Sequence, residues 1–230
     1  MWVDNMTIIS YHGLTTQEGG TQVQKGMNFG IKKNYSIVLM STAKNSPYAD
    51  EVFDDGVIEY EGHDANKSTS YNKKEIDQPD KTRTGSLTEN GKFLKACAEY
   101  KKGMREAAII KVYRKIKAGV WTDMGYYSLT DGYQRHDGKR NVFKFILEPN
   151  NSFDTQTEDY NELSHNRMIP GDIQREVYER DKGKCCFCGS EENLHFDHII
   201  PFIKGGSSKV ASNIQLLCAK HNLQKGAKFK

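Results

Sequence analysis

Residues 194–206 read LHFDHIIPFIKGG, and the reading of this stretch decides what the C-terminal part of the chain is. His195, Asp197 and His198 lie within four residues, followed by Pro201 and the pair Gly205-Gly206. A polar turn between strands and a reacting centre both match that pattern, and the flanking sequence separates them. Upstream, Cys185 and Cys188 form a C-x2-C pair; downstream, Cys218 and His221 form a C-x2-H pair. Each pair can bite one ion, and three thiolates with one imidazole make a closed tetrahedral zinc site. Cys186 cannot join without straining the knuckle. A segment of about sixty residues is also short for an ample core, and a structural metal supplies the missing folding energy.

A closed zinc site has no open position, so any chemistry falls to Asp197 and His198. A carboxylate is a hard oxygen ligand suited to Mg²⁺, and an imidazole that titrates near neutrality can take a proton from water. Neighbours on a strand point in opposite directions, but a turn at Pro201 can bring them to a common site. Asn222, next to His221 on a predicted final helix, offers a second oxygen ligand. Zinc would staple that helix to the hairpin and bring Asp197 and Asn222 together.

The bulk properties narrow the class. The 230-residue chain carries a net charge of +3. Its mean hydropathy is -0.74, and no apolar run approaches the roughly 18–20 residues that span a bilayer. The opening MWVDNMTIIS has neither a basic n-region nor a long apolar h-region, so a cytoplasmic location and no membrane partner are expected. From Asn166 onward eleven Lys and Arg face seven Asp and Glu, a net of +4, whereas the remainder carries 22 against 23, a net of -1. That excess suits a polyanionic partner, and a solvated basic tail accounts for it equally well. Cys97, apart from the other four cysteines, reads as a small buried hydrophobe.

Along the chain, YSIVLM, GVIEY, AAIIKVYRKI and NVFKFILEP are short runs rich in β-branched and aromatic residues, the pattern of strands. TENGKFLKACAEYKKG has helical spacing and a closing glycine. Residues 149–166 are polar and lack apolar periodicity, as a linker would. Beyond them Pro170 and Asp172 signal a helix start and Gly183 a stop, with Ile173, Val177 and Tyr178 on one face. The chain therefore divides into residues 1–150, a linker at 151–166, and residues 167–230, in an α+β class.

The segment RMIPGDIQREVYERDKGKCCFCGSEENLHFDHIIPFIKGGSSKVASNIQLLCAKHNLQKG resembles the HNH endonucleases of the ββα-metal type. R-D-x-G-x-C-x2-C, D-H-I-I-P, G-G, S-N-I-Q-L-L-C and N-x2-K-G all occur in order. The resemblance implies a small zinc-stapled domain in which His198 is the general base. It implies that Asp197 and Asn222 hold one catalytic divalent ion, Mg²⁺ or Mn²⁺, and that Asn213 braces the loop behind the histidine. The family's third histidine is Asn222 here, whose carbonyl oxygen can still ligate. His221 takes a zinc position where relatives often carry cysteine. His195 has no family role and is expected on a strand surface.

The N-terminal part resembles an SRA (SET and RING associated) domain, the fold that flips a modified cytosine out of duplex DNA. The shared elements are an S-I-V-L strand, a Tyr followed by an acidic cluster and Gly, E-Y-x-G, and Q-x-D…L-T-x-N-x3-L, across most of residues 8–148. A twisted β-barrel or sheet with flanking helices is implied. Tyr48 and Tyr60 have the spacing of the family's stacking pair, and Asp50 or Glu51 would accept the cytosine amine. Glu61 stands where the family has Thr, which leaves the tolerated modification open.

Together the two resemblances imply a modification-dependent, type IV-like restriction endonuclease. Its partner would be double-stranded DNA carrying 5-methylcytosine, 5-hydroxymethylcytosine or a derivative. A single HNH centre cuts one strand, so a homodimer or pairing on DNA is expected. Two other readings compete: an HNH nuclease directed by ordinary sequence, and a non-cleaving binder of modified DNA.

Overall fold

The computed structural model describes residues 6–19, 23, 26–66, 72–150, 152–153 and 168–228. In chain order these form Ile8–Ser10 (β1), Tyr11–Gln17 (α1), Met27–Asn28 (β2), Ser36–Met40 (β3), Glu51–Val52 (β4), Ile58–Glu61 (β5), Glu89–Lys101 (α2), Ala108–Lys117 (β6), Val120–His136 (β7), Asn141–Pro149 (β8), Gly171–Arg180 (α3), Leu194–His198 (β9), Ile214–Cys218 (β10) and Ala219–Lys228 (α4). The class is α+β. Most of the predicted linker, 151–166, lies outside the described residues.

The four strand-like runs become β3, β5, β6 and β8 of one mixed sheet in the order β2-β3-β6-β7-β8-β5-β4, with β1 added against β7. β3 runs parallel to β6, and the other described pairs are antiparallel. The long β7 serves three partners: β6 along most of its first half, β1 at residues 120–122, and β8 from Tyr127 onward. Register shifts near Tyr113, Lys117 and Asp131 bend it between them, as β-bulges do.

Helix α2 opens where its sequence signals: Thr88 is the N-cap and its hydroxyl accepts from the Gly91 amide at 3.2 Å. Gly91 is obligatory, because a Cβ there would fall 2.1 Å from the carbonyl oxygen of Asp80. The helix buries Phe93, Ala96 and Cys97 against the sheet, where a large apolar side chain contributes about 1.5–3 kcal/mol. Burial, with the nearby Asp131 charge, pushes the Cys97 thiol up to about 12. Cys97 is thus packing rather than chemistry.

The C-terminal elements share a second core with the sheet. Val177, Phe196, Ile214, Leu216 and Leu217 pack with Ile116 of β6, and Ile8 and Val120 lie against them. Helix α3 is tied down by Gln174, whose Oε1 accepts from buried Thr122 at 3.1 Å. Residues 6 and 7 form a seam: the Thr7 carbonyl accepts from Asp123, Thr7 bridges to His195, and the Met6 carbonyl accepts from Phe196. Among the described residues no helix is long and apolar enough to cross a membrane.

Candidate active site and metal centre

The antiparallel hairpin of β9 and β10 organises the site, with His198 opposite Ile214, Asp197 opposite Gln215 and Leu194 opposite Cys218. Alternation along β9 buries Leu194, Phe196 and His198 and leaves His195 and Asp197 half-buried on the other face. At the far end of the hairpin Cys218 closes β10 just before α4 begins, which places Cys218 and His221 one helical turn apart.

Cys185, Cys188, Cys218 and His221 converge, their ligand atoms all within 4.8 Å of one another. The Cys188 and Cys218 sulfurs are 3.9 Å apart, and His221 Nδ1 lies 3.4 Å from Cys185 Sγ and 3.3 Å from Cys218 Sγ. A tetrahedron with bonds of about 2.3 Å to sulfur and about 2.0 Å to nitrogen has edges of roughly 3.8 and 3.5 Å, so the donor set fits zinc. Burial alone would raise the Cys185 thiol, but the backbone amides of Cys218, Cys188 and Phe187 and the His221 ring bring it down to about 6. A thiolate is what a metal needs. Cys186 stays out, its thiol exposed and 3.3 Å from Gln215 Oε1.

At the other end of β9 the His198 imidazole is buried, with Nε2 2.9 Å from the Ser208 hydroxyl. Asn213 accepts from the Ile200 amide at 2.8 Å through Oδ1, and its Nδ2 donates to the carbonyls of Ile200 (3.2 Å) and Ser207 (3.1 Å). It therefore clamps the loop that carries Ser208. Gly206 makes room for this clamp: a Cβ there would lie 1.8 Å from the Ile200 carbonyl oxygen. Arg180 donates to the carbonyls of Ala211 and Ile214 on either side of Asn213, while Asp181 accepts from the Leu216 amide. The R-D motif thus fastens α3 to the hairpin.

Asp197 Oδ2 accepts from Gln215 at 2.8 Å and from the Lys225 ammonium at 2.5 Å, and Lys225 also donates to the His198 carbonyl. Asn222 is buried on α4, which packs against β9, and its Nδ2 has no hydrogen-bond partner among the described residues. A carboxylate and an amide carbonyl are hard oxygen donors of the kind Mg²⁺ and Mn²⁺ take; the unpaired Asn222 Nδ2 is an N–H donor, which an acceptor and not the cation would complete. His195 is not a plain surface histidine. It lies in the seam with Nδ1 3.4 Å from Thr7 Oγ1, and burial lowers its pKa.

The N-terminal residues are divided between two cavities and the core. Tyr48, Asp50 and Glu61 line a cavity of about 530 Å³ whose wall includes Lys74 and Arg140. His63 stacks with the Tyr48 ring at 5.5 Å and the Lys74 ammonium sits 4.2 Å above it. Asp50 accepts from the Ser41 and Glu61 amides, and Glu61 from the Ala49 amide and from Lys144. Glu51 opens onto the second cavity, beside α3. Tyr60 is 1% exposed and belongs to the main core. Sequence reading missed Ser208, Lys74 and Arg140. Ser208 had a signal in the G-G-S-S loop, whereas the two basic residues are isolated in the chain and gave none.

Residues 185–230 match the family model described as HNH endonuclease, and the chain carries a nuclease domain of that type. No match to the chain was found among curated proteins. Among solved structures it is similar to the modification-dependent TagI restriction endonuclease, with 16% identity over 96% of this chain and 77% of that one and a TM-score of 0.41. The type IV phosphorothioation-dependent restriction endonuclease ScoMcrA gives 15% identity over 95% and 55%, with a TM-score of 0.40. The SUVH5 SRA complex with methylated CHH DNA gives 17% over 64% and 90%, with a TM-score of 0.41.

Proposed function

We propose that the chain is a modification-dependent DNA endonuclease. In this reading residues 1–150 flip and read 5-methylcytosine or 5-hydroxymethylcytosine in duplex DNA, and residues 167–230 hydrolyse a nearby phosphodiester bond. The observation that carries it is the end of β9, where Asp197 and His198 are successive residues on opposite faces of the strand, with the histidine ring held by Ser208 and the loop clamped by Asn213. His198 would take the proton of the attacking water. Asp197 and Asn222 would hold one divalent ion, Mg²⁺ or Mn²⁺, which supplies charge neutralisation at the scissile phosphate and at the leaving 3′ oxygen. The Cys3His cluster would hold zinc as a staple between hairpin and α4. Because one such centre cuts one strand, a double-strand break needs a homodimer or two copies paired on DNA.

The reader half draws on the SRA resemblance and on the cavity where Tyr48, Asp50 and Glu61 meet beside Lys74 and Arg140. An aromatic face, carboxylates for an exocyclic amine and cations for the flanking phosphates are what a flipped cytosine needs. The burial of Tyr60 favours a second reading, an HNH nuclease directed by ordinary sequence, since a core ring cannot be one of two stacking faces. Matched duplexes carrying cytosine, 5-methylcytosine or 5-hydroxymethylcytosine, incubated in Mg²⁺ or Mn²⁺ with His198→Ala as control, separate the two. Cutting confined to modified DNA and lost in the variant supports the proposal. Equal cutting of all three leaves the sequence-directed nuclease. Selective binding without cutting leaves a reader alone.

A further inference from the structure

Between the sheet and the start of α3 lies a cavity of about 510 Å³, lined in part by Thr42, Arg114, Gly171 and Arg175. Arg114 projects from β6 and is 1% exposed, yet no carboxylate lies within 4.0 Å of it among the described residues. One of its nitrogens, Nη2, donates to the Ile169 carbonyl at 2.6 Å, and its Nε has no partner among the described residues. Arg175 Nη1 and Thr42 Oγ1, both buried, also have none among the described residues. Three buried polar atoms on residues of one cavity thus lack a protein partner among the described residues, and buried polar groups are as a rule hydrogen-bonded.

The geometry ties them to one spot. A Cβ on Gly171 would fall 2.6 Å from Thr42 Oγ1 and 3.4 Å from Arg114 Nε, so hydroxyl and guanidinium crowd the first residue of α3. That helix has ten residues, and its N-cap, Pro170, offers no side-chain acceptor to the amides of the first turn. Two guanidiniums, a hydroxyl and an uncapped helix start converge on one wall. We propose that this cavity binds a single phosphate group, held by Arg114, Arg175 and Thr42.

The carboxylates of the cavity do not occupy these donors. Asp50 is engaged by the Ser41 and Glu61 amides, Asp54 pairs with Lys209 at 2.8 Å, and Glu51 and Asp172 are exposed at the rim. The donors therefore remain for a ligand of the cavity. The phosphate comes either from a DNA backbone or from free inorganic phosphate.

The test uses the full chain, Arg175→Gln and Thr42→Val, with inorganic phosphate titrated at constant ionic strength and an unmodified DNA duplex bound over a range of salt. A thermal upshift of the wild type by phosphate, with binding weakened roughly tenfold in each folded variant, identifies free phosphate as the ligand. No response to phosphate, but a salt dependence of duplex binding that drops by about one phosphate contact in Arg175→Gln, identifies the DNA backbone. Folded variants that match the wild type in both assays, or a wild type that responds in neither, overturn the proposal. His198→Ala keeps the site in every case, so failure of the nuclease reading is distinguishable from failure of this one.

Discussion

The Nε2 of His198 lies 2.9 Å from the hydroxyl of Ser208, with both residues 3% exposed. A hydrogen bond at one ring nitrogen fixes the ring's orientation. Ser208 is thus a positioning residue for the proposed general base. Ser208→Ala is expected to lower single-turnover cleavage roughly tenfold, the worth of one such bond, with KM close to wild type. Ser208→Thr keeps the hydroxyl and should retain most of the rate. A change confined to KM would instead make the loop a DNA contact.

The Cys3His geometry predicts one zinc per chain by elemental analysis. Cys218→Ser should abolish zinc retention and lower the thermal midpoint, because that ligand joins β10 to α4 and metal binding is coupled to folding. Cys186→Ser should keep both zinc and stability, since its sulfur faces Gln215 instead of the cluster. Zinc lost equally from both variants would mean the wrong quartet.

The zinc quartet was legible because ligand spacing is a local property: two residues between donors set the bite, and the chain supplies both pairs within fifty residues. The strands at β3, β6 and β8 were legible for a similar reason, as apolar alternation needs no partner to be seen. The 17-residue β7 was harder, because Gly125 at φ 83 and the bulge at Asp131 interrupt its period. Arg114 was invisible as a special residue. In AAIIKVYRKI it reads as one more strand position, and only the packing of α3 onto β6 buries its charge. Tyr60 illustrates the same limit: its spacing from Tyr48 suits a stacking pair, and the packing of α2 on the sheet places it in the core.

The Thr122 hydroxyl and Gln174 Oε1 are both fully buried and 3.1 Å apart, across the junction of sheet and α3. Thr122→Val preserves shape but removes the donor, leaving a buried acceptor unpaired at a cost of about 1–3 kcal/mol. Urea unfolding should show a lower midpoint with an unchanged slope if the two parts unfold together. A separate early transition of the C-terminal part would mean that the shared core does not couple them.

Asp50 gives a pH prediction with a definite sign. Burial raises its carboxyl from 3.8 to about 6, outweighing the Glu61 and Ser41 amides and the Lys144 charge that favour the anion. Between those values the folded chain holds a proton that the unfolded chain has released. The contribution of this group to stability is therefore complete below about pH 3.8 and is lost as pH rises through about 6. Asp50→Asn carries no such titration. Its thermal midpoint relative to wild type should climb steadily from pH 4 to pH 7, whatever constant offset the lost acceptor imposes. A difference that stays flat across that range would show that the carboxylate is ionised throughout, held by its two backbone donors.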